Sequence, residues 1–403
     1  MLSVTEARER ILSQIKTTQT VSVALSDSLG RVLAEDLVAD GDHPPFDNSA
    51  VDGFALRAED SGADRTLTVV ADIPAGTAPK VVLQTGQAAR IMTGAQVPQG
   101  ADCVIPVEET DFSDRSTGTA PPKTVSIKKR LMNGDNIRMG GSDMRAGDVV
   151  MNQGRLLKAQ DLGLLATLGY AAVTVYKKPR VALMSSGNEL LEANAPLEPG
   201  KIRDSNSYTL AALLTQTGAE VIPLGVAKDT SDSVTALLNK ATDEKADLIL
   251  SSAGVSVGAF DFIKEVIETN GAMDFWKVNM RPGKPLAFGS YRDIPFIGLP
   301  GNPVSAFVGF EVFVHPALQR MSGSMDGDRQ RVKVRCAQEV ESDGRESYLR
   351  ARIKFLNGIP SAFLTGHQGS GNLLSLVQAD ALLIIPAGVK CVPAGSEVDA
   401  IIL

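Results

Sequence analysis

Between Arg180 and about Gly323 the sequence alternates short apolar runs with segments of helical periodicity. VALMSS is followed by SNSYTLAALLTQTGA, EVIPLGVA by DSVTALLNKATDEK, and ADLILSS by DFIKEVIETNG. This alternation constrains the chain more than any other feature, because it predicts βαβ units on a largely parallel sheet. PLAFG and IPFIGL add two further strands, and GNPVSAFVGFEVFVHPALQRM has the spacing and length of a helix.

The flanks have a different texture. Residues 41 to 155 are rich in Gly, Pro and Asp and carry short β-like runs (LTVVADI, AARIM, DCVIPV, KTVSIKK), while VTEARERILSQI and LKAQDLGLLATLG on either side have helical spacing. A helical unit split by an inserted β domain is therefore expected. After about Arg329, RVKVRCAQ, SYLRARI, ALLIIPAG and SEVDAIIL predict a small terminal β domain. The fold class is α/β plus β, in several domains, as 403 residues at roughly 150 per domain also suggest.

Ligands of open parallel sheets lie at the carboxyl ends of the strands. Glu189 follows VALMSS, Asp229 follows VIPLGVAK, and Asp261 lies in the loop SSAGVSVGAFDF after ADLIL. Three carboxylates on one edge suit Mg²⁺ bridging a phosphate, although each equally serves as the cap of a following helix. Gly254 and Gly258 let backbone approach a ligand, but the loop is neither GxGxxG nor a P-loop. Lys277 and Arg281 in FWKVNMRPGKPLAFG are four apart, a spacing that puts both on one face of an extended segment, and Lys284 follows. These cations suit a pyrophosphate or oxyanion; a solvated basic strand is the structural alternative. In GLPGNPVSAF, Asn302 is placed to cap a helix with Pro303 at its first position.

In the β region, Asp47, Asp52, Thr93, Arg138 and Asp143 sit in turn-rich motifs, and Arg350 and Ser370 have the same ambiguous status near the end of the chain. His43, His315 and His367 are the only histidines, and no Ser or Cys lies in a nucleophile elbow or triad pattern, so metal-assisted phosphate chemistry is the better expectation. His315, between Val314 and Pro316, reads as structural.

Composition excludes several classes. No apolar run approaches the roughly 20 residues of a membrane span, and the N-terminus lacks the apolar block of a signal peptide, so a cytoplasmic protein is expected. Cys103, Cys336 and Cys391 are far apart and unpaired in pattern, against a disulfide framework or a cysteine zinc site. A net charge of −7 argues against nucleic acid.

Eight motifs in order, DNSAVDGFA, MTGA, GGSDMRAGD, SSGNEL, GVSVGAFD, RPGKPLAFG, GLPGNPVSA and TGHQGS, resemble those of the molybdopterin molybdenumtransferase family, MoeA, related to the E domain of gephyrin. The resemblance implies an elongated homodimer of four-domain subunits whose third domain is similar to molybdopterin adenylyltransferases. Its cleft would lie between the second domain of one subunit and the third and fourth of the other. In this numbering the expected division is 1–42 with 138–178, an inserted β domain at 43–137, an α/β domain at 179–325 and a β domain at 326–403.

The implied activity is insertion of molybdate into adenylylated molybdopterin, with Mg²⁺-dependent cleavage of the pyrophosphate and release of AMP; a molybdopterin adenylyltransferase is the expected protein partner. By the resemblance, Asp229 and Asp261 would serve metal and cleavage, with Glu189 on the same edge. Arg281, Lys284, Pro285, Arg350 and Ser370 match positions that hold molybdate. Lys277 and Ser256 would help bind the pterin ligand, and Asp52, Thr93 and Asp143 match the second-domain part of the cleft. Ala253, Ala259, Phe260 and Arg281 depart from the family's usual residues. A non-catalytic pterin carrier and an adenylyltransferase are the rival expectations.

Overall fold

VALMSS lacks a polar alternate until its end, so a strand made from it must be covered on both faces. The computed structural model describes residues 1–112, 120–252, 259–325 and 327–403, with only the helical backbone of 259–261. In it, Arg180–Ser186 (β1) lies inside a six-stranded sheet and is buried from Val181 onward. The other strands are Glu220–Ala227 (β2), Leu248–Ser252 (β3), Gly271–Lys277 (β4), Pro285–Tyr291 (β5) and Ile294–Leu299 (β6). The order is β2-β1-β3-β6-β5-β4. β1 is parallel to both β2 and β3, β3 is parallel to β6, and β5 and β4 complete one side antiparallel. Pro223 and a register shift between Leu183 and Met184 fall where β2 forms the sheet's edge, the place that tolerates a strand proline.

The two faces separate residue by residue. Val181 and Leu183 join Leu210, Leu213 and Leu214 of helix Asn206–Gln216 (α1) in one core. Ala182 and Met184 face the opposite way, against Val234 and Leu238 of Ser231–Asp243 (α2) and Ile263, Val266 and Ile267 of Ala259–Asn270 (α3). Period-two side-chain alternation on a doubly covered sheet produces this division.

The long helix expected after the sheet forms as Pro303–Gly309 and His315–Met321 joined by a π-helical segment, Phe310–Val314. Pro316 has no N–H to donate, and a wider turn before it accommodates the missing bond. The terminal β region closes on itself: Glu346–Leu356, Ile359–Leu364, Arg331–Cys336, Glu397–Ile402 and Ala381–Ile385 pair in a ring, since the first also pairs with the last. Val334, Leu349, Ala351, Leu383, Val398 and Ala400 fill its core.

Contacts divide the chain into two compact units. The first comprises Met1–Glu35, Gln153–Ala166 and Tyr170–Leu403 and includes everything described so far. It also contains helix Val4–Gln14, begun by a Ser3–Glu6 capping box, and strand Thr20–Ala24 paired with Ala172–Tyr176. The second, Asp36–Asn152 with Thr167–Gly169, is built on a five-stranded sheet in the order Cys103–Pro106, Gly53–Leu56, Gln87–Ile91, Arg65–Ile73, Thr124–Ile127. Phe54, Leu56 and Ile105 pack on one of its faces, Ala55, Ile91 and Val104 on the other. Gly53 is obligatory there, because a Cβ would lie 1.9 Å from the Ile105 carbonyl oxygen.

Candidate functional site

The strand order reverses beside β1: the chain leaves β1 for β2 on one side and returns to β3 on the other. A crevice opens at the carboxyl ends of strands around such a point. Ser186 ends β1 and is followed by Gly187, whose φ of +141° turns the chain sharply. The Gly187 N–H donates to the Ala227 carbonyl (3.2 Å), the Asn188 N–H to Asp229 Oδ2 (3.3 Å) and the Asp229 N–H back to Asn188 Oδ1 (3.4 Å). The ends of β1 and β2 are thereby tied together. Glu189 folds its carboxylate over Gly187, where a Cβ would fall within 2.9 Å of both its oxygens.

Two polar atoms at this end are buried without a partner among the described residues: Ser186 Oγ and Asp229 Oδ1. A buried acceptor left unmet costs about 1–3 kcal/mol, which an incoming cation or donor recovers. Asp229 therefore has the chemistry of a metal ligand. Asp261's side chain and Ser256, the other expected contributors, lie outside the described residues. Among the described residues no three His, Cys, Asp or Glu side chains form a metal-holding group.

The other end of the edge is cationic and is assembled from distant segments. Asn206, at the start of α1, donates from Nδ2 to Ser252 Oγ at the end of β3 and to the Gly301 carbonyl after β6, both at 2.8 Å. Asn302 occupies the N-cap position of Pro303–Gly309, but its side chain makes no capping bond, contrary to the expectation from sequence. The first turn of this helix is bound instead by Ser370, whose carbonyl accepts from the Val304 N–H (3.1 Å). A Cβ placed on Gly283, whose φ is +104°, would lie 3.7 Å from the Ser305 carbonyl oxygen, so the loop carrying Arg281, Lys284 and Pro285 runs beside the same helix.

Lys277 and Arg281 do not share an extended face. Lys277 ends β4 opposite Pro285, whereas Met280–Arg281 leaves that sheet and pairs in parallel with Glu346–Ser347 of the terminal β region. Val278 still follows the hairpin, its N–H donating to the Lys284 carbonyl (3.0 Å), but the Met280 N–H then closes a tight turn on the Val278 carbonyl (3.0 Å), and this turn breaks the even-spacing argument.

Arg350 is fully buried. Its Nε donates to Ser375 Oγ (3.1 Å), Nη1 to the Gln368 carbonyl (3.2 Å) and Nη2 to the carbonyls of His367 (3.3 Å) and Gly369 (2.9 Å). The guanidinium thus shapes the loop that presents Ser370 and, among the described residues, keeps one Nη1–H uncommitted. Among the described residues no carboxylate forms an ion pair with it, and burial, followed by the charge of Arg281, lowers its pKa to about 10. A buried cation in that condition attracts an anion.

In the second unit, Asp52 Oδ1 accepts from both the N–H and the hydroxyl of Thr93, each at 2.7 Å. Asp143 takes a different anchor: its N–H donates to the His43 carbonyl (3.0 Å) and its carboxylate accepts from Ser142 (3.4 Å). Arg138 pairs through its backbone with Asn48, and Asp47 accepts from the Gly140 N–H (2.7 Å). All three candidates, Asp52, Thr93 and Asp143, are exposed.

Comparison with known proteins decides what this architecture belongs to. Residues 2–169 match the model of the MoeA N-terminal region (domain I and II), 182–320 that of a probable molybdopterin binding domain, and 333–403 that of the MoeA C-terminal region (domain IV). A molybdopterin molybdenumtransferase from Nostoc sp. is 39% identical over 382 residues, covering 92% of this chain and 85% of the relative. The chain belongs to the molybdopterin molybdenumtransferase (MoeA) family.

A Staphylococcus aureus member is 36% identical over 409 residues, covering 100% of this chain and 95% of its own. The solved molybdopterin biosynthesis MoeA protein from Pyrococcus horikoshii superposes with a TM-score of 0.84 at 32% identity, over the full length of both chains.

Within this MoeA-family chain, Ser186, Asn188 and Asn206 were not singled out from sequence. The SSGN motif displayed the first two. Asn206 had only its place at a helix start, which equally marks a cap; its reach to β3 and β6 depends on the packing of α1.

Proposed function

We propose that the chain is a molybdopterin molybdenumtransferase that inserts molybdate into molybdopterin, taking the pterin in its adenylylated form and releasing AMP by Mg²⁺-dependent cleavage of the pyrophosphate. The observation that carries this reading is the polarity of one sheet edge. At β1 and β2 it offers a carboxylate oxygen with no partner among the described residues; at β6 it offers loops gathered around Arg281, Lys284, Arg350 and Ser370. Two strand spacings separate the ends of β1 and β6, about 10 Å.

Asp229, together with Asp261, would hold Mg²⁺, which when bound neutralises phosphate oxygens during cleavage. Glu189 shields the same turn. At the cationic end the Lys284 ammonium and the Arg281 guanidinium would attract molybdate, Pro285 and Ser370 would bound its pocket, and Arg350 would fix the Ser370 loop. Lys277, and Ser256 in the segment after β3, would hold the pterin's phosphates. Asp52, Thr93 and Asp143 would belong to the part of the cleft that the inserted domain of a second subunit provides, which requires a homodimer.

The same proposal divides the chain into 1–42 with 138–178, 43–137, 179–325 and 326–403. It places the protein in the cytoplasm and makes a molybdopterin adenylyltransferase its supplier of substrate. No helix among the described residues is long and apolar enough to cross a membrane.

The deciding experiment mixes the protein, Mg²⁺ and adenylylated molybdopterin, with and without molybdate, and follows AMP and molybdenum-bearing pterin. Appearance of both products only when molybdate and Mg²⁺ are present supports the reading. Pterin binding without turnover would instead make the chain a carrier.

A further inference from the structure

The turn that carries Asn188 and Glu189 continues as Leu190–Leu191, which pairs in parallel with Ile202–Arg203. The Ile202 N–H donates to the Glu189 carbonyl (2.9 Å), the Asp204 N–H to the Leu191 carbonyl (2.8 Å), and the Arg203 guanidinium to the Ala195 carbonyl through two bonds of 3.3 and 3.1 Å. These bonds close residues 188–204 into a strap. In the first unit, a cavity of about 540 Å³ is lined by Leu190 and Leu191 of this strap, Tyr208 and Ala211 of α1, and Val221 and Pro223 of the edge strand β2.

The lining sets what the cavity can hold. Asp204 accepts from the Ser207 N–H (3.1 Å) and the Ser207 hydroxyl (2.6 Å), and the Ser207 oxygen also bonds Ser185 Oγ (2.9 Å). These lining polar groups are thus already engaged, and the carboxylates of Asp204 and Glu192 disfavour an anion inside. Tyr208 is 59% exposed and Val226, also on the lining, 41%, so apolar surface is left in water here. An uncharged flat ring fits such a lining, with the exposed tyrosine to stack on.

The cavity's place along the sheet edge identifies the ring, and this step rests on the transferase reading. In that reading molybdate lies at the β6 end and the pyrophosphate at β1 and β2. An adenylylated molybdopterin carries its dithiolene at one end, its pyrophosphate in the middle and adenosine at the other end, so the adenosine falls beside β2, where this cavity opens. Lys201 stands between the two. The one bond its ammonium makes among the described residues goes to the carbonyl of Asn188, the residue whose N–H meets Asp229. Two of its three N–H groups therefore stay open to a phosphate.

We propose that this cavity is the adenine subsite, with the base stacked on Tyr208 and Lys201 donating to the phosphate of the adenylate.

AMP and, separately, adenosine are titrated calorimetrically into the full-length protein in the presence of Mg²⁺. Both should bind. Tyr208→Ala is expected to weaken both at least fivefold, with Tyr208→Phe restoring binding, because the ring and not the hydroxyl does the stacking. Lys201→Gln should weaken AMP at least fivefold and leave adenosine unchanged. Ala211→Leu, which fills the cavity from α1, should weaken both, and it decides the matter should Tyr208→Ala fail to fold. Failure of adenosine to bind at 10 mM, on the order of the weakest useful affinity, overturns the subsite. So do unchanged binding in both Tyr208→Ala and Ala211→Leu, and equal loss of AMP and adenosine in Lys201→Gln. The turnover experiment above separates the two claims: products without this binding pattern remove the subsite alone, whereas this pattern without molybdenum-bearing product keeps the nucleotide site and removes the transferase reading.

Discussion

The side-chain nitrogen of Asn206 lies 2.8 Å from the hydroxyl of Ser252, and the same nitrogen is 2.8 Å from the Gly301 carbonyl. One buried amide thus pins the ends of β3 and β6 and sets the floor on which the 281–285 and 366–371 loops meet the Pro303 helix. Asn206→Ala leaves both acceptors without a donor, at an expected cost of about 1–3 kcal/mol. Unfolding followed by the fluorescence of Trp276, the chain's single tryptophan and a residue of β4, measures the loss. Because the two loops rest on this floor, molybdate-dependent turnover should fall at least tenfold, and an unchanged rate would remove Asn206 from the site.

Asp229 predicts the opposite pairing of effects. Its buried Oδ1 has no partner among the described residues, so Asp229→Asn removes a metal ligand without breaking a bond of that oxygen. Thermal stability should hold steady or rise by up to about 1 kcal/mol, and AMP release at saturating Mg²⁺ should drop at least a hundredfold. A variant that releases AMP at the parental rate would exclude Asp229 from cleavage.

Gly283 holds the turn between Arg281 and Lys284 at φ +104°, a region that a Cβ disfavours. Gly283→Ala should destabilise the protein by about 1–2 kcal/mol. By displacing Lys284 it should raise the molybdate concentration needed for half-maximal insertion while leaving pterin binding intact. Molybdate titrations at fixed pterin distinguish this from general damage.

His315 gives a pH dependence. Burial first, and then the charge of Arg329, lower its pKa from 6.5 to about 4, with Arg8 acting in the same sense and Asp328 opposing. Between those two values the unfolded chain binds a proton that the folded chain refuses, so stability decreases as pH falls from 6.5 toward 4. The contribution is on the order of 3 kcal/mol. Melting curves at pH 6.5 and 4.5 should show a smaller difference in His315→Gln than in the parent; an equal difference would assign the acid sensitivity to other groups.

Much of the scaffold was legible because its signals are local. VALMSS, EVIPLGVA and ADLILSS became the three strands that flank the switch point, and the helices between them formed where the periodicity placed them. The Lys277–Arg281 pairing failed for a physical reason: even spacing implies a common face only while the chain stays extended, and a tight turn from Val278 to Met280 intervenes. Asn302 likewise had a capping residue's identity without making a capping bond, because the first turn of its helix is met by the Ser370 carbonyl.

By itself, then, the sequence determined the doubly covered sheet, the terminal β region and, through eight motifs in order, the family. These depend on residue periodicity and identity, which are written along the chain. Only the tertiary structure decided which side chains meet: that Asn206 bridges two strand ends, that Arg350 spends its donors on the 367–369 carbonyls, and that Asp229 Oδ1, Arg31 Nε and His315 Nδ1 are buried without partners among the described residues. Whether a polar atom is satisfied depends on every segment packed around it, and most of those segments are distant in sequence.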